Sequence, residues 1–193
     1  MKKTTMSAQE FVKQATIVEP AIPADAEGVF NVQRLTWLAT YPNADAGITE
    51  DDIRIRVEGE YGELIPQKIE RWRNGIEATG SERATFVVHD DSKVVGFVAP
   101  AIIEGKRRIG AIYVLPEAQG RGVGGKLLRK AIEWHGREED IFLYVANYNQ
   151  NAIEFYKKNG FVETDTKIKD EVAQLGNSKE ISEIEMVLRA KSN

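Results

Sequence analysis

Arg108-Ile109-Gly110-Ala111-Ile112-Tyr113-Val114-Leu115, running through Pro116-Glu117-Ala118 into Gln119-Gly120-Arg121-Gly122-Val123-Gly124-Gly125-Lys126, is the stretch whose reading decides the fold. Its opening segment is rich in apolar and β-branched residues and predicts a strand. From Gly122 to about His135 the spacing predicts a helix, with Val123, Leu127 and Ala131 on one face and Leu128 and Ile132 beside them. A turn between a strand and a helix start presents unpaired N–H groups and the positive end of the helix dipole, which together favour an anion. Glycines at 120, 122, 124 and 125 let the backbone approach phosphate oxygens without a Cβ in the way.

Three other readings compete for this turn. Gly120, Gly122 and Gly125 satisfy the dinucleotide pattern G-x-G-x-x-G, but Pro116 to Gln119 separate them from the strand, and the following strand ends in Val145 without a ribose-binding acid. Gly120, Gly125 and Lys126 match the front of a Walker A loop, yet Leu127 stands where Ser or Thr would hold Mg²⁺. A tight turn with packing glycines and no ligand is the bland alternative.

Upstream, Ala84-Thr85-Phe86-Val87-Val88, a turn at Asp90-Asp91-Ser92 and Lys93-Val94-Val95-Gly96-Phe97-Val98 read as a β-hairpin, followed by a loop at Glu104-Gly105-Lys106. Downstream come a strand at Ile141–Val145, a helix from about Asn149 to Lys158 stopped by Asn159-Gly160, and strands at Phe161–Glu163 and Ile184–Leu188, joined by a polar loop with Gly176 and Asn177. Further back, residues 1–15 read as an N-terminal extension, Thr16–Val18 as a short strand, and 16–193 as a single domain. Helices are expected from Ala24 to about Tyr41, with Asp25 at its start, and over Leu64–Ala78; Ala44–Arg54 reads as a polar connection. The alternation of strands and helices, with hairpins, gives an α/β (α+β) class and a mixed sheet.

Composition narrows the chemistry. A net charge of -4 argues against a nucleic-acid partner, and the absence of cysteine removes disulfides, thiolate metal sites and cysteine acyl-enzymes. His89 and His135, at a strand end and a helix end, do not make a metal site, so no metal is expected. No window reaches the roughly 18 apolar residues of a membrane span, and the start lacks an export signal, which points to a cytoplasmic protein without a membrane partner. Asp51, Asp52, Glu58, Glu60 and Glu63 read as solvated surface, and Trp37, Tyr41 and Trp72 as core rather than pocket.

The segment Val114-Leu115-Pro116-Glu117-Ala118-Gln119-Gly120-Arg121-Gly122-Val123-Gly124 resembles motif A of the GNAT N-acetyltransferases, and Leu143-Tyr144-Val145, Asn149, Ala152, Phe155-Tyr156 and Gly160-Phe161 resemble a second block of that family. The resemblance covers about residues 84–164; Thr36–Tyr41 is more loosely similar to bacterial members that acetylate small amines or polyamines. It implies the GNAT fold, a mixed, mostly antiparallel sheet of about six to seven strands flanked by helices, and an acetyl-CoA-dependent N-acetyltransferase that commonly dimerises. Gln119, Gly120, Arg121, Gly122, Val123, Gly124 and Gly125 would hold the cofactor's pyrophosphate, and the backbone of Tyr113 and Val114 would pair with the pantetheine arm. Asn149 would hydrogen-bond that arm as well as cap its helix, Ala152 would leave room for it, and Tyr156 would protonate the departing thiolate. A primary amine of a small molecule, a polyamine or an amino acid would attack the thioester directly. Many family members place a glutamate base on the central strand; Arg107-Arg108-Ile109 stands there instead, and Glu104 and Glu117 are only near in sequence. The alternatives are a protein N-terminal or lysine acetyltransferase and a non-catalytic acyl-CoA-binding module.

Overall fold

The structure, a computed structural model, describes residues 17–169 and 181–191. Seven strands form one sheet: β1 Glu19–Pro20, β2 Phe86–Asp90, β3 Lys93–Ile103, β4 Lys106–Val114, β5 Ile141–Ala146, β6 Val162–Lys169 and β7 Ser182–Leu188. Among the described residues five α-helices accompany it: α1 Ala26–Thr40, α2 Glu50–Glu58, α3 Ile65–Glu77, α4 Val123–His135 and α5 Gln150–Lys158. The strand order is β1-β2-β3-β4-β5-β7-β6, antiparallel at every junction except β4 with β5. Among the described residues no helix is long and apolar enough to cross a membrane.

Local chemistry sets the hairpins. Asp91 joins β2 to β3 at φ 53°, and Glu104-Gly105 joins β3 to β4 with both residues at positive φ, 52° and 74°. The second turn matches the twist of its flanking strands, so β3 and β4 run on to Ile103 and Lys106 and the expected loop shrinks to two residues. Within this pair Ala99 faces Ala111 while Pro100 faces Ile109, which leaves Gly110 as an extra residue in β4. This bulge tolerates the proline and bends the strand.

The helices lie on both faces. A Cβ on Gly96 would stand 3.2 Å from Leu127 and Val123, so glycine there lets α4 seat closely on β3. On the other face Phe97, one residue along and therefore reversed in direction, meets the Trp72 ring of α3 edge-on at 5.0 Å. Trp72 in turn donates its indole N–H to Gln33 Oε1 at 2.9 Å, tying α3 to α1. The main core runs from Val87 and Phe97 through Leu127, Leu128 and Leu143 to Met186. A smaller cluster of Ile48, Ile53, Ala146 and Ile181 lies against Trp37, Tyr41 and Tyr148.

Some expectations need correction. The N-terminal strand is Glu19–Pro20 rather than Thr16–Val18: Ile17 is exposed, and only Glu19 and Pro20 pair with β2. The connection Ala44–Arg54 contains the start of a helix, because Thr49 and Asp52 cap it reciprocally: Thr49 Oγ1 accepts from the Asp52 N–H and Asp52 Oδ2 from the Thr49 N–H. Asp25 does stand immediately before α1, with its carboxylate accepting from the Ile22 N–H and bonded to His89. The extension 1–15, Thr16 and the polar loop with Gly176 and Asn177 lie outside the described residues.

Leu127 is fully buried between α4 and β3. Leu127→Ala is expected to lower stability by about 2–5 kcal/mol, read as a lower urea midpoint with unchanged slope.

Candidate active site

The bulge at Gly110 sits just past the point where the sheet opens. β4 and β5 share only the ladder pairs Arg107↔Ile141 and Arg108↔Phe142, while Leu143–Ala146 of β5 stay paired with β7 and Ala111–Val114 of β4 with β3. Beyond Arg108 the edge of β4 that turns toward β5 therefore meets no strand. His135, at the end of α4, fixes the point of divergence: its Nε2–H donates to the Arg108 carbonyl at 3.0 Å. Burial lowers the His135 pKa, with Arg107 acting in the same direction and this hydrogen bond opposing both, so the ring is neutral while it donates.

A cleft of about 1940 Å³ follows this opening, lined by β4 from Arg108 to Val114, the glycine turn, α5 and residues of α1, α3 and β7. At its upper end the turn is built for an anion. Gly120 and Gly122 have φ of 72° and 79°, and α4 starts without a side-chain cap, which leaves the N–H groups of its first turn for a ligand. A Cβ on either glycine would meet no protein atom within 4 Å, so the space beside them is open. Gln119 braces the turn by donating from Nε2 to the Val114 carbonyl at 2.9 Å.

Of the residues singled out in the sequence, Tyr113, Val114, Gln119, Gly120, Gly122, Gly124, Gly125, Asn149, Ala152 and Tyr156 line the cleft. Arg121 is exposed outside it, and Val123 is 2% exposed in the core beneath α4, contributing only its backbone to the helix start. Asn149 caps α5, its Oδ1 accepting the Ala152 N–H at 3.2 Å. Trp37, Tyr41 and Trp72, read as core, also line the cleft, because each packs one face on the core and turns the other to the cavity.

The floor of the cleft gathers phenols around one carboxylate. Tyr156 is 7% exposed and lines the cavity, and its hydroxyl has no hydrogen-bond partner among the described residues. Burial pushes its pKa far up, and nearby Tyr113 and Glu183 add to this. Tyr41 is raised in the same way by burial, by its hydrogen bond and charge coupling to Tyr113, and by Glu183. Tyr148, whose O–H donates to the Tyr41 carbonyl at 3.0 Å, is pushed up to about 12 by burial and Glu183. All three phenols therefore keep their protons at neutral pH.

Glu183 also lines the cleft and was not among the residues singled out in the sequence. It comes from β7, opposite Ala146, and it lines the cleft half-buried. The available signal was two acids, Glu183 and Glu185, alternating with apolar Ile184 and Met186 in a strand, where a charge needs a reason. Glu185 has a structural one: it accepts from Thr164 Oγ1 at 2.9 Å and from the Tyr144 hydroxyl at 3.3 Å. Arg108, at the position where a glutamate was sought, instead lays its guanidinium over the Tyr144 ring at 4.1 Å. Glu104 lies in the β3–β4 turn, and Glu117 pairs with Lys93 on the surface.

Comparison with known proteins decides the family. The acetyltransferase (GNAT) domain family matches residues 81–163. A spermidine N(1)-acetyltransferase of Thermoplasma acidophilum is 30% identical over 147 residues, covering 74% of this chain and 85% of the relative. The chain belongs to the GNAT N-acetyltransferases. An uncharacterised N-acetyltransferase of Methanocaldococcus jannaschii is 38% identical over 107 residues; that match covers 50% of this chain and spans 47% of the relative's length. The fold agrees with the crystal structure of the PaiA N-acetyltransferase from Thermoplasma acidophilum in complex with coenzyme A, with a TM-score of 0.68, 23% identity, and coverage of 91% of this chain and 99% of that one. The cosubstrate of this family is acetyl-CoA, and the open glycine cradle at α4 fits its pyrophosphate.

Two outcomes follow. Gly120→Ala places a Cβ in the cradle at a left-handed φ, so it is expected to weaken CoA binding about 10-fold or more while costing only about 1–2 kcal/mol of stability, as measured by calorimetric titration and urea unfolding. The Tyr148 contribution to stability is fully present below its unfolded pKa of about 10. It is lost as pH rises through about 12, and comparing phenolate absorbance of the wild type with Tyr148→Phe will show one of the late-titrating phenols, that near 12, disappear.

Proposed function

We propose that this GNAT enzyme transfers the acetyl group of acetyl-CoA to the primary amine of a small molecule by direct attack, without a covalent enzyme intermediate. The observation that carries the reading is a half-buried carboxylate, Glu183, set among neutral tyrosines at the floor of a cleft whose other end is an anion cradle. A cationic amine fits such a floor, because aromatic faces and one carboxylate attract it.

Bound acetyl-CoA supplies a thioester activated toward amines. The N–H groups of Gly120–Gly125 bind its pyrophosphate, and the open edge of β4 at Tyr113 and Val114 pairs with its amide arm, an added strand in the gap that β5 leaves. Asn149 and Ala152 border the same path. Glu183 accepts, directly or through water, the proton that the amine must lose before it can attack. A main-chain N–H of β4 stabilises the negative charge that develops on the thioester oxygen. Tyr156 keeps a proton on its phenolic oxygen, raised by burial, and serves as the acid for the leaving side. A protein N-terminus or lysine is the competing acceptor.

The test is thiol release from acetyl-CoA across a panel of small amines and lysine-containing peptides. Turnover of small amines with kcat reduced about 100-fold or more in Tyr156→Phe and Glu183→Gln, and CoA affinity retained in both, is the expected result. Peptide acetylation with no small-amine turnover overturns the acceptor class, and unaltered kcat in both variants overturns the residue roles.

A further inference from the structure

The wall of the cleft formed by α3 has a charge that the acyl transfer does not use. Lys68, Arg71, Trp72 and Gly75 recur at helical spacing on one face of α3, and all of them border the cavity. Lys68 is half-buried, and its ammonium donates only to the Arg56 backbone carbonyl, at 3.2 Å. Among the described residues neither Lys68 nor Arg71 makes an ion pair, although neighbouring cations do: Arg34 pairs with Glu58, and Arg73 takes Glu70, the acid on this same wall. A carbonyl dipole does not neutralise a partly desolvated ammonium, and a second cation beside it raises the cost. The strain shows in the lysine, whose pKa is lowered first by burial and then by the charges of Arg56 and Arg71. Beside the two cations the cavity is open, since a Cβ on Gly75 would meet nothing within 4 Å.

We infer that the acceptor amine of this enzyme carries an anionic group, a carboxylate or a phosphoryl oxyanion, which Lys68 and Arg71 bind on the α3 wall. The inference rests on the acyl-transfer reading above and adds the class of acceptor. One cleft then holds a carboxylate for the amine, Glu183, and a pair of cations for an anion, which is the complement of a zwitterion. A polyamine offers nothing to the α3 cations and is repelled by them. The anion belongs to the acceptor rather than to the cofactor because α3 packs on the sheet face opposite α4, whose N-terminus forms the cradle.

The experiment compares acceptors matched except for the anion, lysine against cadaverine and phosphoethanolamine against ethanolamine, with spermidine as the polycation. Acetyl-CoA and acetyl-dephospho-CoA serve in turn as donors. The anion-bearing member of each pair is expected to have the higher kcat/KM by about 10-fold or more, the worth of a hydrogen bond between charged groups. Lys68→Met and Arg71→Gln, with melting temperatures checked, are expected to collapse that preference through KM while the KM for acetyl-CoA moves less than about twofold. Equal or better turnover of cadaverine, ethanolamine or spermidine overturns the inference alone. So does a KM rise in the variants seen with acetyl-CoA but not with acetyl-dephospho-CoA, which would assign the cations to the cofactor's 3′-phosphate. No turnover of any amine, with CoA binding intact, overturns the acyl-transfer reading beneath it.

Discussion

β4 must serve two neighbours that require different geometries. On one side it forms a long antiparallel ladder with β3, and on the other it begins a parallel pairing with β5 that stops after Arg108. The extra residue Gly110 reconciles the two by bending and twisting the strand while the β3 ladder resumes at Ala111. A continuous β4–β5 ladder would bury the peptide edge at Tyr113 and Val114 and close the cleft. The bulge leaves that edge open, and His135 holds the Arg108 carbonyl at the branch point so that the gap begins at a fixed place.

Everything the site needs is arranged around this gap. Its upper end is the start of α4, where glycines at positive φ leave donors and space together. Its lower end is the β7 strand, which keeps its pairing with β5 and so carries Glu183 to the floor. The tyrosines come from four different places, α1's end, β4, the β5–α5 connection and α5, and burial keeps Tyr41, Tyr148 and Tyr156 neutral beside the carboxylate. In the proposed reading these phenols and the one carboxylate receive the amine, and a chain without cysteine relies on oxygen and nitrogen groups for that step.

The upper half of the candidate cleft was legible as a strand, glycine turn and helix because its signals are local. A strand, four glycines and an amphipathic helix follow one another within residues 108–135, and the capping asparagine and Tyr156 fall at helical spacing in the next unit. Glu183 was not legible as a site residue because its position depends on β7 inserting between β5 and β6, a long-range pairing that spacing does not report. The α2 helix was missed for the opposite reason: its capping pair Thr49 and Asp52 was visible, but most of the helix is polar and only Ile53 and Val57 are buried. Trp37, Tyr41 and Trp72 misled because an aromatic that lines a cleft also packs on the core behind it.

Hydrogen exchange of the wild-type protein with and without CoA tests the central claim most directly, that the gap opened at Gly110 and the glycine turn together receive the cofactor. Slowed exchange of the amides in 109–114 and 119–125, with β2 and β6 little changed, is the predicted result. CoA binding that leaves both segments at their free rates, or protects α3 instead, would contradict it.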